Sequence, residues 1–313
     1  MRQTIKVDRG DVGVRIDLVL QRHLSHLPGV TRNRLQRIID HGLVHINGRP
    51  VSRASARVAP ADTIEIDLPE RRARTAPVAE SLPLDVVHED EHLLIVNKPA
   101  GQVSHPAFRN PSGTLLNAIL AHASGGWTPA LVSRLDKGTS GLVLVAKHKS
   151  VHAALQRLSN SHGIDKDYLA IVFGKPPARG TIDLGLDRDP WDRRRVTVRD
   201  RGGVNAVTQF ERVRAVASGA DAFMSLVRCR LVTGRMHQIR VHLSAKGWPI
   251  AGDATYGRKV AGMTRQALHA WRVAFTHPAS GVRVDATAPV PADMERLLML
   301  FSTGQIGEHS PER

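Results

Sequence analysis

One polar turn of the sequence carries an aspartate that could act as a nucleophile or a base. Asp136 lies within Ser133 to Gly141, between the short apolar run Leu131-Val132 and the longer run Leu142 to Ala146. A turn between two apolar runs exposes its side chains, and a carboxylate held in a desolvated pocket can attack carbon, as carboxylates do in glycosidases. Taken alone, the motif favours a structural turn in which the aspartate hydrogen-bonds nearby backbone.

A second charged residue could stabilise such an aspartate. A buried carboxylate loses its charge unless a cation or hydrogen-bond donors favour the ionised form. Arg235 is the predicted partner of Asp136, because it lies in Thr233-Gly234-Arg235 at the predicted start of a helix that ends near Gly247. The helix dipole disfavours a cation at that end, which a carboxylate partner would offset. The alternative is that Arg235 is a plain surface charge.

The composition indicates a polyanionic partner. The 313 residues carry a formal net charge of +15 and have a sequence pI near 11.0, with 42% hydrophobic and 23% charged residues. A soluble globular protein with a field of this sign attracts nucleic acid and speeds its encounter. The alternative is a compositional drift toward arginine without any binding role.

The same composition excludes several other kinds of site. Cys229 is the single cysteine, which rules out an internal disulfide and a cysteine-based zinc site. His237 and His242 are five residues apart and point to different sides of a helix, so we expect no metal site. The N-terminus has no apolar signal segment and no stretch approaches the roughly 18 apolar residues of a membrane span, so we expect no membrane partner. The single cysteine favours a reducing cytoplasm, and we expect a monomer.

Two helices, a hairpin and a strand are predicted to form a small first domain over residues 13 to 69. The apolar spacing predicts one helix over Val14 to Leu24 and a second over Thr31 to Gly42, whose end residues supply the N-cap and a left-handed C-cap. Asn47-Gly48 is the strongest two-residue signal for a tight hairpin, and Thr63 to Leu68 alternates as a half-buried strand does.

Three arginines of the second helix form a candidate RNA-binding face. Arg32 and Arg34 lie in the first turn and Arg37 follows one turn later, although cations are disfavoured near a helix N-terminus. RNA phosphate would compensate them, and a solvated basic helix is the alternative. The segments RIDLVLQRHL, TRNRLQRIIDHGLVHINGRPV and VAPADTIEI resemble the S4 RNA-binding domain. This resemblance implies that the second helix and the hairpin grip structured RNA.

A larger domain is predicted to follow a linker. Residues 70 to 83 are rich in arginine and proline and have few apolar residues, which is typical of a linker. From residue 84 to residue 301, short apolar strands alternate with turns and helices, which predicts a mixed α/β or α+β domain. Residues 302 to 313 are predicted to be a frayed polar tail.

The larger domain resembles the RluA-type family of pseudouridine synthases at five separate places in the expected order. The resemblance implies an α+β fold with a mixed, mainly antiparallel sheet, and the isomerisation of uridine to pseudouridine without a cofactor. It places Asp136 on the family's catalytic aspartate, and leaves open whether the carboxylate attacks C1′ or removes the 2′ proton. The matching segments are Val96 to Pro106, Ser133 to Lys147, Lys166 to Gly174, Leu231 to Gly257 and Gln266 to Gly281.

The same resemblance assigns further residues. Tyr168 matches the family's active-site tyrosine, whose ring could stack on a base or whose hydroxyl could take part in proton transfer at C5; a core aromatic is the alternative. Arg134 matches the residue that fills the space left by a flipped uridine. His237 and Arg240 are further basic candidates along the RNA path, as is Lys98, for which a structural role is favoured.

The expected substrate also comes from the resemblance. Family members with an S4 domain generally act on large-subunit ribosomal RNA, so this RNA or a pre-ribosomal particle is the expected partner. Transfer RNA is the nearest enzymatic alternative. A non-catalytic RNA-binding assembly factor is the rival from another class, and it would be expected to have lost Asp136, Tyr168 and Arg235. Ser133 stands where the family usually has His, which puts a detail of the loop or of substrate choice in doubt.

Overall fold

The chain divides into two compact units, Met1–Thr75 and Ala76–Arg313. The computed structural model describes residues 1–27, 29–69, 76–107, 110–192, 194–199, 202–217 and 223–302. Residues 70–75 of the predicted linker and 303–313 of the predicted tail therefore lie outside the described residues. No helix in the described part of the chain is both long and apolar enough to cross a bilayer.

The first unit packs two helices on a four-stranded antiparallel sheet, with the strand order β1-β4-β2-β3 over the described residues. Leu20, Leu35 and Ile64 lie in its fully buried core. Its elements are β1 (Arg2–Lys6), α1 (Ile16–His23), α2 (Arg32–Asp40), β2 (Val44–Ile46), β3 (Arg49–Pro50) and β4 (Thr63–Asp67).

Local signals in this unit behave as the sequence predicts. The Thr31 side chain accepts a hydrogen bond from the backbone N–H of Arg34, which is the predicted N-cap. Gly42 has a φ of 71° after α2, and Asn47 and Gly48 have φ of 50° and 78°, as a type I′ hairpin requires. Strand β1 is an addition, because Arg2–Lys6 pairs with β4 ahead of the predicted start of the domain at residue 13.

The second unit is built on one large sheet. Its strands are β5 (Val86–Glu89), β6 (Leu93–Lys98), β7 (Ala130–Leu131), β8 (Ser140–Ala146), β9 (Ile164–Phe173), β10 (Arg179–Asp183), β11 (Leu186–Arg188), β12 (Val196–Val198), β13 (Val207–Ala217), β14 (Phe223–Leu231), β15 (Leu268–Thr276) and β16 (Arg283–Thr287). Its helices are α3 (Leu115–Ala123), α4 (Lys149–Asn160), α5 (Gln238–Ala245) and α6 (Ala292–Ser302).

The predicted mixed, mainly antiparallel sheet is confirmed. Among the described residues ten strands form it, in the order β10-β13-β14-β9-β15-β8-β6-β5, with β16 paired to β15 and β7 to β8. Strands β8 and β15 run parallel, and the other pairs are antiparallel. Strands β11 and β12 form a separate hairpin. The fold class is therefore α+β, as predicted.

Strand β8 lies between β15 and β6 inside this sheet and is buried along its whole length. Alternate side chains pack on opposite faces: Leu144 packs in the cluster that includes Leu155 of α4, and Val143 packs in the cluster that includes Ile119 of α3. At its start, Gly141 has a φ of 109°, and a Cβ there would lie 2.2 Å from the carbonyl oxygen of Ala270 on β15. The turn that carries Asp136 thus enters the sheet at a fixed point.

Candidate active site

Hydrogen bonds from one neighbouring segment, residues 101–104, hold the turn that carries Asp136. The Ser104 hydroxyl donates to the Leu135 carbonyl at 2.9 Å and accepts from the Leu135 N–H at 3.2 Å. The Gly101 N–H donates to the Lys137 carbonyl at 2.8 Å. Because the residues on both sides of Asp136 are held, its side chain projects from a fixed backbone.

Lys98 supports the same turn from inside the protein. It is fully buried, and its ammonium donates to the carbonyls of Pro99 at 2.8 Å, Gln102 at 2.9 Å and Lys137 at 3.4 Å. Burial, together with the positive charge of Arg265, lowers the pKa of Lys98 to about 8. The candidate RNA contact at Lys98 is therefore wrong, because this side chain has no exposed surface, and the favoured structural role agrees with its contacts.

The cation that contacts Asp136 is Arg240. Its Nη1 donates to Asp136 Oδ2 at 2.9 Å, and its Nε and Nη2 donate to the two carboxylate oxygens of Asp253 at 2.7 and 2.8 Å. The side chain of Asp253 is fully buried, whereas 26% of the Asp136 side chain is exposed. One guanidinium thus bridges a buried structural carboxylate and a carboxylate that faces solvent.

Asp253 is itself held by further donors. Its Oδ1 accepts the backbone N–H groups of Thr255 at 2.9 Å and Tyr256 at 3.1 Å. Burial alone would raise the pKa of Asp253, but the hydrogen bonds and charge of Arg240 outweigh burial, so the pKa is lowered. Asp253 therefore stays ionised and orients Arg240.

The predicted pairing of Asp136 with Arg235 is wrong. Helix α5 begins at Gln238, so Arg235 precedes it; its side chain is exposed, and its Nε donates to the carbonyl of Asn205 at 3.1 Å. Arg240 lies in the first turn of α5 and is almost fully buried, which also removes it from an exposed RNA path. The position of the helix start decides which arginine reaches Asp136.

His237 and Tyr256 lie next to the contact between Asp136 and Arg240. His237 Nε2 lies 3.8 Å from Asp136 Oδ2, and His237 Nδ1 lies 3.0 Å from the hydroxyl of Tyr256. Burial lowers the pKa of His237 despite the nearby charge of Asp136, so the imidazole is neutral at neutral pH. The Tyr256 ring lies beneath Arg240, with 5.0 Å from guanidinium carbon to ring centroid. Sequence reasoning missed both Tyr256 and Asp253.

Tyr168 lies on β9 and lines the same cavity as Asp136. Burial raises the pKa of Tyr168, and the negative charge of Asp136 raises it further. The phenol is therefore protonated at neutral pH, so it can donate a hydrogen bond or stack on a ring, and it is a poor general base in this state.

A cavity of about 970 Å³ contains these groups. Its size is sufficient for a nucleotide-sized ligand, and it combines apolar walls with a few convergent polar groups. Arg134 is exposed at its edge, next to Asp136. The predicted site residues that line the cavity are Arg134, Asp136, Tyr168, Arg235, His237 and Arg240. The structure thus brings together residues that are up to 106 positions apart, from Arg134 to Arg240.

The predicted RNA-binding arginines of α2 differ in their surroundings. The Arg32 Nε donates to Asp17 at 3.2 Å, so an acid within the protein already compensates its charge. Arg34 donates to the carbonyl of Pro69 at 2.6 Å, and the Arg37 Nε donates to the carbonyl of Asn33 at 3.4 Å. Arg34 and Arg37 therefore keep a positive charge without a carboxylate contact among the described residues.

Two groups of residues bear on metal binding. His242 contacts Thr208 Oγ1 at 2.9 Å and the Leu184 carbonyl at 3.1 Å, away from the partners of His237. The ligand atoms of Asp8, Asp11 and His23 lie within 4.8 Å of one another in the first unit. The Arg22 guanidinium donates to both of these carboxylates, at 3.1 and 3.2 Å, and so occupies the place that a cation would take.

Comparisons with known proteins identify the families that this chain resembles. Residues 92–245 match the family model of RNA pseudouridylate synthases, and residues 14–64 match that of the S4 domain. The chain is 38% identical to the ribosomal large subunit pseudouridine synthase D of Zymomonas mobilis over 93% of this chain and 94% of the relative. It is 40% identical to an RNA pseudouridine synthase of Bacillus subtilis over 86% of this chain and 88% of the relative.

Solved structures show the same fold. The human RNA pseudouridylate synthase domain containing 4 aligns with a TM-score of 0.56 at 24% identity, covering 69% of this chain and 92% of that one. The extent of the sequence identity to curated relatives, together with the matching fold, decides the family. This chain belongs to the RluA-type family of RNA pseudouridine synthases.

Proposed function

We propose that Asp136 is the catalytic carboxylate for isomerising uridines of large-subunit ribosomal RNA to pseudouridine. The observation that carries the proposal is the contact of Asp136 with the buried Arg240 in a cavity that Tyr168 also lines. Charge-assisted hydrogen bonds of this kind are strong and directional, so the contact fixes the orientation of the Asp136 carboxylate.

The reaction rearranges a single nucleotide, so atoms balance without a cofactor. The bond from C1′ to N1 breaks, C1′ bonds to C5 of the same base, the C5 proton leaves and N1 gains a proton. Asp136 starts this sequence either by attack on C1′ or by removal of the 2′ proton, and both routes need a carboxylate beside the ribose. Tyr168 supports the base by stacking or by donating a hydrogen bond.

The uridine must leave its stack to enter the cavity. Arg134 is exposed at the cavity edge beside Asp136, in a position from which its side chain could fill the vacated space in the RNA. His237, which also lines the cavity, and Arg235, which is exposed before α5, would contact the flanking RNA. In the first unit, Arg34 and Arg37 would contact phosphate, with Arg32 contributing less because Asp17 pairs with it.

The substrate proposal rests on the relatives and on the S4 match. The relative from Zymomonas mobilis is named for the large ribosomal subunit, and residues 14–64 match an RNA-binding domain. We propose the same class of RNA for this chain, acting as a monomer. Transfer RNA is the competing substrate.

A deletion strain tests the proposal. Pseudouridines would be mapped in ribosomal and transfer RNA of the strain, and of the strain carrying either the wild-type gene or Asp136→Asn. We expect sites in large-subunit ribosomal RNA to be lost on deletion and to be restored by the wild type but not by Asp136→Asn. Loss confined to transfer RNA would overturn the substrate. Restoration by the variant would overturn the role of Asp136, and no loss at all would favour a non-catalytic assembly factor.

A further inference from the structure

The hairpin of β11 and β12 carries an exposed tryptophan in its turn. The side chain of Trp191, in the turn between the two strands, is 95% exposed. An exposed indole offers a flat aromatic face on which a nucleic-acid base can stack. Trp191 has no role in the proposed chemistry, and its ring is accessible from solvent.

The base of the hairpin is anchored, and this fixes where the turn lies. Leu186 and Val196 are buried in a small cluster with Val241 of α5, the helix that carries Arg240. The Val196 N–H donates to the Tyr256 hydroxyl at 2.7 Å, and that hydroxyl lies 3.0 Å from His237 Nδ1. A short chain of contacts therefore connects the hairpin to the rim of the Asp136 cavity.

The charges of the turn favour a polyanion. Arg188, Arg195 and Arg199 are exposed on or next to the hairpin without a carboxylate contact among the described residues, whereas the exposed Arg194 pairs with Asp192. Electrostatic attraction to phosphate and base stacking on an aromatic ring are the two parts of single-stranded nucleic acid recognition. Because tryptophan and arginine are also enriched at protein interfaces, contact with a second copy of the chain is one outcome of the test below.

The aspartates of the same turn are used to shape its backbone. The Asp189 carboxylate accepts the N–H groups of Trp191 at 2.8 Å and Asp192 at 3.1 Å. Asp192 accepts the N–H of Arg194 at 3.0 Å and pairs with its guanidinium at 2.9 Å. These bonds pre-organise the turn, which lowers the entropy cost of binding at Trp191.

We propose that this hairpin is a second RNA contact, in which Trp191 stacks on an unpaired base near the target uridine, and Arg188, Arg195 and Arg199 contact the neighbouring phosphates. The inference rests on the proposed function for the identity of the target, but not for the binding itself. Its anchoring on α5 and Tyr256 sets the distance between the stacked base and the nucleotide in the cavity.

Binding measurements on the full chain test this inference. The affinity for a 12-nucleotide single-stranded oligouridylate and for large-subunit ribosomal RNA from a deletion strain would be measured for the wild type, Trp191→Ala and Trp191→Phe. Loss of one stacked base should weaken binding by about fivefold or more in Trp191→Ala, whereas Trp191→Phe keeps a ring and should stay within about twofold. Oligouridylate should quench tryptophan fluorescence in the wild type, and much less in Trp191→Phe.

Controls separate stacking from other effects. Val282→Ala removes another exposed apolar side chain, 65% exposed in the turn before β16, and should leave RNA affinity unchanged. The melting temperature should not change in Trp191→Ala, because an exposed side chain contributes little to packing.

The outcomes distinguish this inference from the proposed function. Wild-type affinity in Trp191→Ala overturns the inference, even if the enzyme isomerises uridine. If Trp191→Ala changes the sedimentation coefficient of the protein but not its RNA affinity, Trp191 contacts a second copy of the chain. That outcome also overturns the inference. If Trp191→Ala weakens RNA binding while the wild type modifies no uridine, the proposed function fails and the RNA contact stands.

Discussion

Replacing Asp253 by Asn should impair the active site indirectly, through Arg240. Asp253 does not reach the cavity, but it holds Arg240 with two hydrogen bonds of 2.7 and 2.8 Å. The Asn carbonyl could replace one carboxylate oxygen, and its NH₂ group would then face a guanidinium donor. The substitution therefore removes both the charge of Asp253 and one of the two bonds that orient Arg240.

The size of the effect follows from burial. Breaking a buried ion pair by removing one partner costs about 3 to 5 kcal/mol, and the lower end applies because Arg240 keeps its contact with Asp136. For a unit of this size, about 3 kcal/mol corresponds to a fall in melting temperature of about 6 to 12 °C. A loosened Arg240 should also lower turnover by roughly 10²-fold, because small misplacements of catalytic groups have effects of that order.

The assay needs a matched control at the surface. Asp285→Asn makes the same chemical change in an ion pair with Arg272 whose aspartate is 46% exposed, and it should cost less than about 1 kcal/mol. Both variants would be compared by thermal unfolding and by tritium release from RNA labelled at C5 of uridine, at temperatures where both are folded. Asp253→Asn with the melting temperature and turnover of the wild type would refute the argument.

Acid stability gives an independent check of the same carboxylate. The pKa of Asp253 is lowered in the folded protein, so its contribution to stability is present above its unfolded pKa of about 3.9 and is lost as the pH falls through the folded value. The free energy of unfolding of Asp253→Asn should therefore fall less steeply below about pH 4 than that of the wild type. Parallel curves for the two proteins would contradict the assigned ionisation.

Three further substitutions test other parts of the structure. Arg235→Gln should keep turnover at saturating RNA, whereas Arg240→Gln should lose at least about 10²-fold in tritium release. The reverse ranking would support a pairing of Asp136 with Arg235 instead of Arg240. Gly141→Ala should destabilise the protein by more than about 3 kcal/mol in urea unfolding, because its Cβ would lie 2.2 Å from the carbonyl oxygen of Ala270 at a positive φ. Gly113 also has a positive φ but has open space around it, so Gly113→Ala should cost only about 1 to 2 kcal/mol. Replacing Arg32, Arg34 and Arg37 by Glu should weaken RNA binding and reduce its salt slope by about 2, since Arg32 is already paired with Asp17; an unchanged slope would exclude α2 from the interface.

Structural features that depend on neighbouring residues could be predicted from the sequence. The Thr31 cap, the left-handed Gly42 and the Asn47-Gly48 hairpin all depend on local backbone chemistry, and the structure has each of them. The turn of Asp136 between two apolar runs is equally local. The mixed sheet could be predicted only from the resemblance to a known family, because short apolar strands alone do not distinguish an α/β from an α+β domain.

Signals that depend on distant residues could not be predicted in the same way. Arg235 and Arg240 lie in one segment, and only the start of α5 at Gln238 determines which of them reaches Asp136. Asp253 contacts Arg240 across 13 positions, and nothing in the local pattern distinguishes it from a turn former. Strand β1 depends on pairing with β4 more than 50 residues away, although the buried Ile5 between polar neighbours was an available signal.

Single-turnover tritium release is the most direct measurement of the role of Asp136. Wild type and Asp136→Asn would be mixed in excess with RNA labelled at C5 of uridine, after filter binding has shown that both bind it equally. The account predicts rapid release by the wild type and none above background for Asp136→Asn. Release by Asp136→Asn at a rate near that of the wild type would contradict it.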